Sequence, residues 1–175
     1  MRQQAARSVG FAPIVGDDAQ VLVLGSLPSQ RSLECNEYYA HPQNAFWQIM
    51  AELVGARGSY TTRCRALTQH GIAVWDVLAS SVRPGSLDSA IDLASAEIND
   101  FSTFFAEHPT VHRICCNGQA AARIYQRRVP RHLVPAEPQI VTLPSTSPAY
   151  AAMPFARKLE LWRAGIGLTP DEQQD

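Results

Sequence analysis

Residues 38–50 hold the densest set of side chains that could act on a planar ligand. Tyr39, His41 and Asn44 lie close together, just before an apolar run that begins at Phe46. Aromatic rings stack on a nucleobase, and an amide can hydrogen-bond to its edge or orient a water molecule. A structural interpretation is equally open, because Asn44 is well placed to cap a helix and the aromatic residues could pack in the core.

Three further segments carry small polar residues next to glycine or proline. They are residues 25–33, 117–119 and 143–150, and each follows a short apolar run. Turns and helix caps use the same residue types, so one such loop alone would indicate little. Asp76 ends another apolar run and adds a carboxylate that could polarise water, balance charge, or serve only as a structural hydrogen-bonding group.

The motifs of several common enzyme classes are missing from the sequence. There is no G-x-S-x-G nucleophile elbow, no Walker phosphate loop and no G-x-G-x-x-G dinucleotide motif. The histidines are scattered, and Cys35, Cys64, Cys115 and Cys116 lack the spacing of zinc or iron–sulfur ligands. We therefore expect buried free thiols, no metal and no organic cofactor.

The net charge of −1 argues against a protein that binds nucleic acid by charge alone. A local basic surface stays open, since all but one of the 15 cationic residues are arginines, which suit bidentate phosphate contacts. No apolar run approaches the roughly 20 residues that a membrane span needs. The basic start, residues 1–7, is not followed by a long apolar segment either. We expect a cytoplasmic monomer with no membrane partner.

The elements that must position these loops are short apolar runs that alternate with helical patterns. The predicted strands are residues 20–25, 72–78, 111–116 and 139–143, and the predicted helices are residues 45–54, 61–69, 96–107, 118–127 and 152–164. Continuous apolar strands are typical of a parallel sheet that is buried on both faces. Their alternation with helices predicts an α/β fold, a three-layer α/β/α sandwich with a four-stranded parallel sheet.

Ligands bind such sheets at the carboxyl ends of the strands, where the polar segments would converge. We expect one domain over residues 1–175, with a core at about 20–165 and short terminal arms.

In their order along the chain, these segments resemble the motif blocks of the hypoxanthine-DNA glycosylases, a branch of the uracil-DNA glycosylase superfamily. The first block is similar to Gly25-Ser26-Leu27-Pro28, Ser32-Leu33 and residues 38–47. The later blocks are similar to residues 72–78, Gly85-Ser86-Leu87-Asp88, Asn117-Gly118 and residues 143–149. The similarity spans residues 20 to about 164, and the ordered set is far more specific than any one block.

The resemblance implies a uracil-DNA glycosylase-like fold and a monofunctional DNA glycosylase of base excision repair. Such an enzyme hydrolyses the N-glycosidic bond of a flipped deaminated base, here hypoxanthine first, without a cofactor. Damaged DNA is the implied partner. Asn44 would orient the attacking water, because Leu27 stands where other branches carry an Asp or Asn for that task. Asp76 is the second catalytic candidate.

The same resemblance assigns the rest of the site. The base would be bound by Gly25, Ser26, Tyr39, Phe46 and Asn117, with Phe46 stacking on its ring and Asn117 reading its edge. DNA would be bound by Ser145, Thr146, Ser147, Pro148 and Tyr150; the hydroxyls would hold phosphates and the loop tip would fill the gap that the flipped nucleotide leaves.

Three departures from the family pattern bear on these roles. Ser29 stands where the family usually has Gly, and Tyr150 where relatives commonly have His or Asn. The superfamily's usual His is absent from the last block, so no imidazolium would stabilise a uracil anion. A purine that leaves as a neutral base is then favoured, which supports hypoxanthine over uracil.

Three alternatives remain open. One is a uracil-preferring enzyme of the same fold, and another is a non-catalytic nucleic-acid- or nucleotide-binding relative. A small-molecule hydrolase that uses Ser26 is weaker, because no base lies at suitable spacing. Strand cleavage by an amine is not expected, since the pattern places Lys158, the lone lysine, on the solvent face of the last helix.

Overall fold

The computed structural model describes residues 6–134 and 137–168, so of the predicted terminal arms it includes residues 6–19 and 166–168. The strands are β1 (Arg7–Val9), β2 (Val21–Gly25), β3 (Ile72–Asp76), β4 (Leu78–Val82), β5 (Asp92–Ile98), β6 (Arg113–Asn117) and β7 (Gln139–Leu143). The helices are α1 (Gln30–Cys35), α2 (Phe46–Val54), α3 (Tyr60–Gln69), α4 (Phe101–Glu107), α5 (Gln119–Arg128) and α6 (Phe155–Ile166).

Four strands form a parallel sheet in the order β3-β2-β6-β7. In the centre, Val21 of β2 pairs with Ile72 of β3 on one side and with Arg113 of β6 on the other. Every residue of β2 and β3 is buried, which explains their continuous apolar sequences. The predicted four-stranded parallel sheet is confirmed.

Helices cover both faces of this sheet. One face packs against α2, α3 and α6 through side chains that include Phe46 and Trp162, and the other packs against α4 and α5 through side chains that include Phe101. Neighbouring strand residues alternate between the two clusters, since Cys115 belongs to the first and Cys116 to the second. Both thiols are free and buried, whereas Cys35 is exposed and Cys64 is partly exposed, so the expected burial is wrong for those two cysteines. The predicted α/β/α sandwich is therefore confirmed.

A second, antiparallel sheet in the order β1-β4-β5 does not follow from the sequence. The helix predicted over 96–107 is wrong in its first part, because β5 extends to Ile98 and α4 begins at Phe101. The pairing of β4 with β5 is irregular and uses side chains: the Ser81 hydroxyl donates to the Asp92 carbonyl at 2.9 Å, and the Val82 N–H donates to the Ser95 hydroxyl at 2.9 Å. Polar pairing of this kind leaves no alternation of apolar residues to detect.

The last helix starts and ends later than predicted. It begins after Pro154 instead of at 152, and it ends at Ile166. Gly167 caps it, because its left-handed φ of 83° lets its N–H bond to the Arg163 and Ala164 carbonyls. No helix of the described ranges is long and apolar enough to cross a membrane.

Candidate active site

The carboxyl ends of the four parallel strands open onto a cavity of about 300 Å³. Its lining residues are 25–29, 32, 38, 39, 44, 76, 86–89, 117–120, 145–147, 149 and 150. This is the edge at which open parallel sheets bind ligands. All predicted site residues belong to the lining except Phe46 and Pro148.

Asn44 is half-buried, lines the cavity and lies just before α2. Its Oδ1 accepts a hydrogen bond of 2.9 Å from the Phe46 N–H, the first N–H of the helix. The formal N-cap is Ala45, one residue later than predicted, because the chain is already helical there, with φ −80° and ψ −6°. The bond fixes the amide plane and leaves Oδ1 a second lone pair with which it can hold a water molecule.

Phe46 lies beneath the cavity instead of lining it. Its side chain is fully buried, and the ring of Tyr39 lies over it with centroids 4.1 Å apart and planes inclined at 30°. Tyr39 has a left-handed φ of 54°, which a bulky residue rarely adopts and which often marks a functional site. Phe46 therefore supports Tyr39, the aromatic residue that lines the cavity.

Asp76, at the end of β3, is a carboxyl group held away from water on the cavity wall. The residue is 4% exposed. Burial, the largest cause, and the nearby Asp88 carboxylate raise the pKa of Asp76, the Arg83 guanidinium lowers it, and the resulting pKa is about 7. Gly25 makes room for this group, since a Cβ at Gly25 would lie 2.5 Å from Asp76 Oδ1 and 3.2 Å from the Tyr39 hydroxyl oxygen.

Arg83, which follows β4, is a site residue that the sequence does not single out. It is 2% exposed, and its guanidinium donates to the carbonyls of Leu27 and Pro28. Arg83 thereby holds the loop that follows β2. Burial lowers the pKa of Arg83, while Asp88 and Asp76 act against that shift. The signal in the sequence is slight: a single arginine two residues before the block that begins at Gly85.

The loop after β2 is also tied to the turn that contains Asp88. The Ser26 hydroxyl donates to the Asp88 carboxylate, and the Gln30 N–H donates to the Ser86 hydroxyl at 2.9 Å. Ser29, where the family pattern has Gly, caps α1 by accepting from the Ser32 N–H at 3.1 Å. The substitution thus has a local structural role.

Asn117 joins the end of β6 to the loop that follows β7. Its Nδ2 donates to the Thr146 hydroxyl at 2.8 Å, and its Oδ1 accepts from the Thr146 N–H at 2.9 Å. One N–H and one lone pair remain on the amide for a ligand. The Thr146 carbonyl accepts from the Ala45 N–H at 2.9 Å, so the same loop is also fixed to the start of α2.

The three hydroxyls of this loop have different surroundings. Thr146 is 1% exposed, and its hydroxyl accepts the hydrogen bond from Asn117, so it fixes the shape of the site and does not contact solvent. Ser145 and Ser147 are half-buried, and each accepts from a backbone N–H two residues ahead, which leaves its O–H free to donate. Tyr150, at 44% exposure, is the large exposed ring on the cavity rim.

Lys158 does not face solvent, so the predicted orientation is wrong. It is 5% exposed, its Nζ donates to the Tyr150 carbonyl at 2.6 Å, and it lies 5.2 Å from the centre of the Tyr150 ring. The start of α6 at Phe155 turns this face toward the loop. Burial lowers the pKa of Lys158, whose amine holds Tyr150 in place.

Metal ligands are not gathered at this edge of the sheet. Over residues 6–134 and 137–168, no group of three or more His, Cys, Asp or Glu side chains could hold an ion. The chemistry that the lining offers is that of amides, hydroxyls and two carboxyl groups, Asp76 and Asp88.

Comparison with known proteins places these features in a family. Residues 12–164 match the model of the uracil DNA glycosylase superfamily. A protein of Methanosarcina acetivorans named hypoxanthine DNA glycosylase is 36% identical over 115 residues, which cover 64% of this chain and 72% of that protein. A protein of the same name from Methanosarcina barkeri is 34% identical over 113 residues, 63% of this chain and 70% of the relative.

A solved structure gives the same result. A solution NMR structure of a Methanosarcina acetivorans protein with a provisional uracil DNA glycosylase assignment superposes with a TM-score of 0.73 at 29% identity. The match covers 91% of this chain and 98% of that one. The similarity therefore extends over both the central sheet and the loops at its carboxyl edge.

Proposed function

The chain belongs to the uracil DNA glycosylase superfamily, and we propose that it acts on DNA as a monofunctional glycosylase that removes hypoxanthine. The observation that carries the proposal is the half-buried Asn44 amide, fixed by the Phe46 N–H and directed at a cavity on the ligand-binding edge of the sheet.

The proposed reaction is hydrolysis of the bond between C1′ and the base. A flipped nucleotide places its base in the cavity, with the ring against Tyr39 and its edge near the free N–H and lone pair of Asn117. As the bond breaks, positive charge develops on the sugar. A water molecule held by Asn44 Oδ1 adds to C1′, and the amide dipole stabilises the developing charge.

The choice of base follows from the charges of the lining. No cationic side chain lines the cavity in the described part of the chain, so an anionic leaving group such as uracil would gain no ion pair. A purine can leave as a neutral molecule once a ring nitrogen is protonated. Two of the relatives are named hypoxanthine DNA glycosylase, which agrees with this preference.

The test is a comparison of duplexes that differ in a single base. We expect faster single-turnover release of hypoxanthine than of uracil, an intact strand before alkali, and no reaction with an undamaged duplex. No covalent adduct should form with borohydride, because the Lys158 amine is buried on the Tyr150 carbonyl. Faster release of uracil would establish the uracil-preferring alternative, and no release of either base would leave only DNA binding.

Tyr150 is proposed to enter the space of the flipped nucleotide, with Ser145 and Ser147 donating to phosphates. Joint replacement of Ser147 and Tyr150 by Ala should weaken binding to hypoxanthine-containing duplex by about 1–3 kcal/mol, the usual contribution of base–aromatic stacking. Ile140→Ala is the matched control, because Ile140 is equally exposed, at 44%, but lies outside the cavity. Fluorescence anisotropy measures the dissociation constant of each variant. An unchanged constant for the double variant would show that Tyr150 does not fill the space of the flipped nucleotide.

A monomeric state and a cytoplasmic location remain predictions.

A further inference from the structure

One buried polar atom on the wall of the cavity, Asp76 Oδ2, has no hydrogen-bond partner among the described residues. Buried polar groups are almost always paired, so an unpaired carboxyl oxygen on the wall of a cavity indicates a ligand that supplies the missing partner. Asp76 and Tyr39 both line the cavity, so a planar base that enters it can approach the carboxyl group.

The charged and titratable groups around Asp76 come from three segments. Asp88, in the turn before β5, raises the pKa of Asp76, and Arg83, after β4, lowers it. Tyr38 and Tyr39, before α2, have pKa values raised by burial and by Asp76, so both stay neutral hydroxyls. With burial as the largest cause and a pKa of about 7, a large fraction of the Asp76 carboxyl groups carries a proton at neutral pH.

We propose that Asp76 is a second catalytic residue, a general acid that donates its carboxyl proton to N7 of the departing purine. The inference rests on the proposed function. A purine whose sugar stays at the cavity mouth presents N7 and O6 to the interior, where the unpaired Oδ2 lies. This role differs from that of Asn44, which acts on the water and the sugar.

Each bond and proton in the step is accounted for. The O–H bond of Asp76 breaks while an N7–H bond forms, and the electron pair of the C1′–N9 bond passes to the purine, which leaves as a neutral tautomer. Water adds its oxygen to C1′ and loses one proton to solvent, and solvent returns a proton to Asp76. Uracil has no N7, so the acid also explains a preference for a purine.

The pH profile of single-turnover cleavage tests the role. The active form of the acid is protonated, so the wild-type rate should be level below about pH 7 and fall about tenfold per pH unit above it. Asp76→Asn keeps the shape of the side chain but cannot transfer a proton. It should lower the rate at pH 6 by about 10²-fold or more and abolish the alkaline decline.

Two further variants separate the acid from a general charge effect. Asp88→Asn removes a carboxylate that raises the pKa of Asp76, so the alkaline decline should move to lower pH. Asp100→Asn is the matched control, because Asp100 caps α4 outside the cavity and an amide oxygen can still accept from the Thr103 N–H. Its rate and profile should equal those of the wild type.

A substrate analogue supplies the second arm. 7-Deazahypoxanthine carries CH in place of N7. The wild type should release this base about as slowly as Asp76→Asn releases hypoxanthine. On the deaza duplex, Asp76→Asn should be only slightly slower than the wild type. Unchanged kinetics of Asp76→Asn on hypoxanthine, or rapid release of the deaza base, would overturn the assignment. A wild type that releases no hypoxanthine at all would instead refute the proposed function, on which the assignment rests.

Protonation of Asp76 can also be measured without activity. An acid with a raised pKa destabilises the fold as pH rises from the unfolded value, near 3.8, to the folded one, near 7. The urea midpoint of the wild type should therefore fall relative to that of Asp76→Asn over this interval and stay at a constant difference above it. A constant difference throughout would contradict the proposal.

Discussion

Replacing Asn44 by Ala is expected to slow single-turnover removal of hypoxanthine by about 10²–10³-fold, as the loss of one oriented polar group in an active site commonly does. The Oδ1 atom that the Phe46 N–H fixes would no longer be there to hold water. Binding of the duplex should persist, because the stacking and phosphate contacts are assigned to other residues.

Stability alone cannot account for such a loss. The lost hydrogen bond to the start of α2 is comparable to a helix cap and costs about 1 kcal/mol. Ser59→Ala is the matched control: Ser59 caps α3 by accepting from the Thr62 N–H, and it does not line the cavity. This variant should lose similar stability and keep its rate.

Asn44→Asp sharpens the test. A carboxylate can still accept from the Phe46 N–H and hold a water molecule, so part of the rate should remain. The ionised carboxylate is the better acceptor for the proton of water, so the residual rate should rise with pH as the introduced carboxyl group ionises. An Ala variant with a near wild-type rate would remove Asn44 from the chemistry.

The second large effect is expected at Asn117. Asn117→Ala leaves the Thr146 N–H and hydroxyl without partners in a residue that is 1% exposed. Each unsatisfied buried group costs about 1–3 kcal/mol. Without these bonds the loop that carries Thr146 should shift. The Thr146 carbonyl also accepts from the Ala45 N–H, so the shift would reach the segment that carries Asn44. We therefore expect a rate loss of about 10²-fold or more.

A double-mutant cycle tests this connection. Thr146→Val removes the acceptor of the Asn117 Nδ2, while Thr146→Ser retains it and should behave as wild type. Asn117→Ala and Thr146→Val break the same interaction, so their effects on urea unfolding and on single-turnover rate should be less than additive. Additive effects would show that the two residues act independently.

The central sheet could be predicted because burial on both faces leaves a mark in the sequence. β2 and β3 have no exposed position, so they are continuous apolar runs that end at Gly25 and Asp76. Ligands bind parallel sheets at the carboxyl ends of the strands, and this rule predicts that the polar loops after the strands line one cavity, without any knowledge of side-chain contacts.

The missed features depend on tertiary contacts. Arg83 is one arginine among many in the sequence, and its role arises only because the fold buries it against the carbonyls of Leu27 and Pro28. Lys158 was predicted on a solvent face because a charged residue usually lies there. The Tyr150 carbonyl, brought near by the loop after β7, supplies the acceptor that permits its burial.

Phe46 illustrates a different limit. Its place in a motif predicts contact with the base. However, a motif position alone does not distinguish a residue that touches the ligand from one that packs behind such a residue. The left-handed backbone of Tyr39 puts the tyrosine ring over Phe46, and the sequence shows no sign of that conformation in a tyrosine.

Hydrolysis of the bond between deoxyribose and hypoxanthine is the central claim for this cavity. Mass spectrometry of a hypoxanthine-containing duplex after one turnover tests it most directly. With the wild type we predict free hypoxanthine and an unbroken strand in which a hydroxyl group has replaced the base at one position. Asn44→Ala should form the same products far more slowly. An unchanged strand after prolonged incubation with folded wild-type protein, or a strand cleaved at the damaged position without alkali, would contradict it.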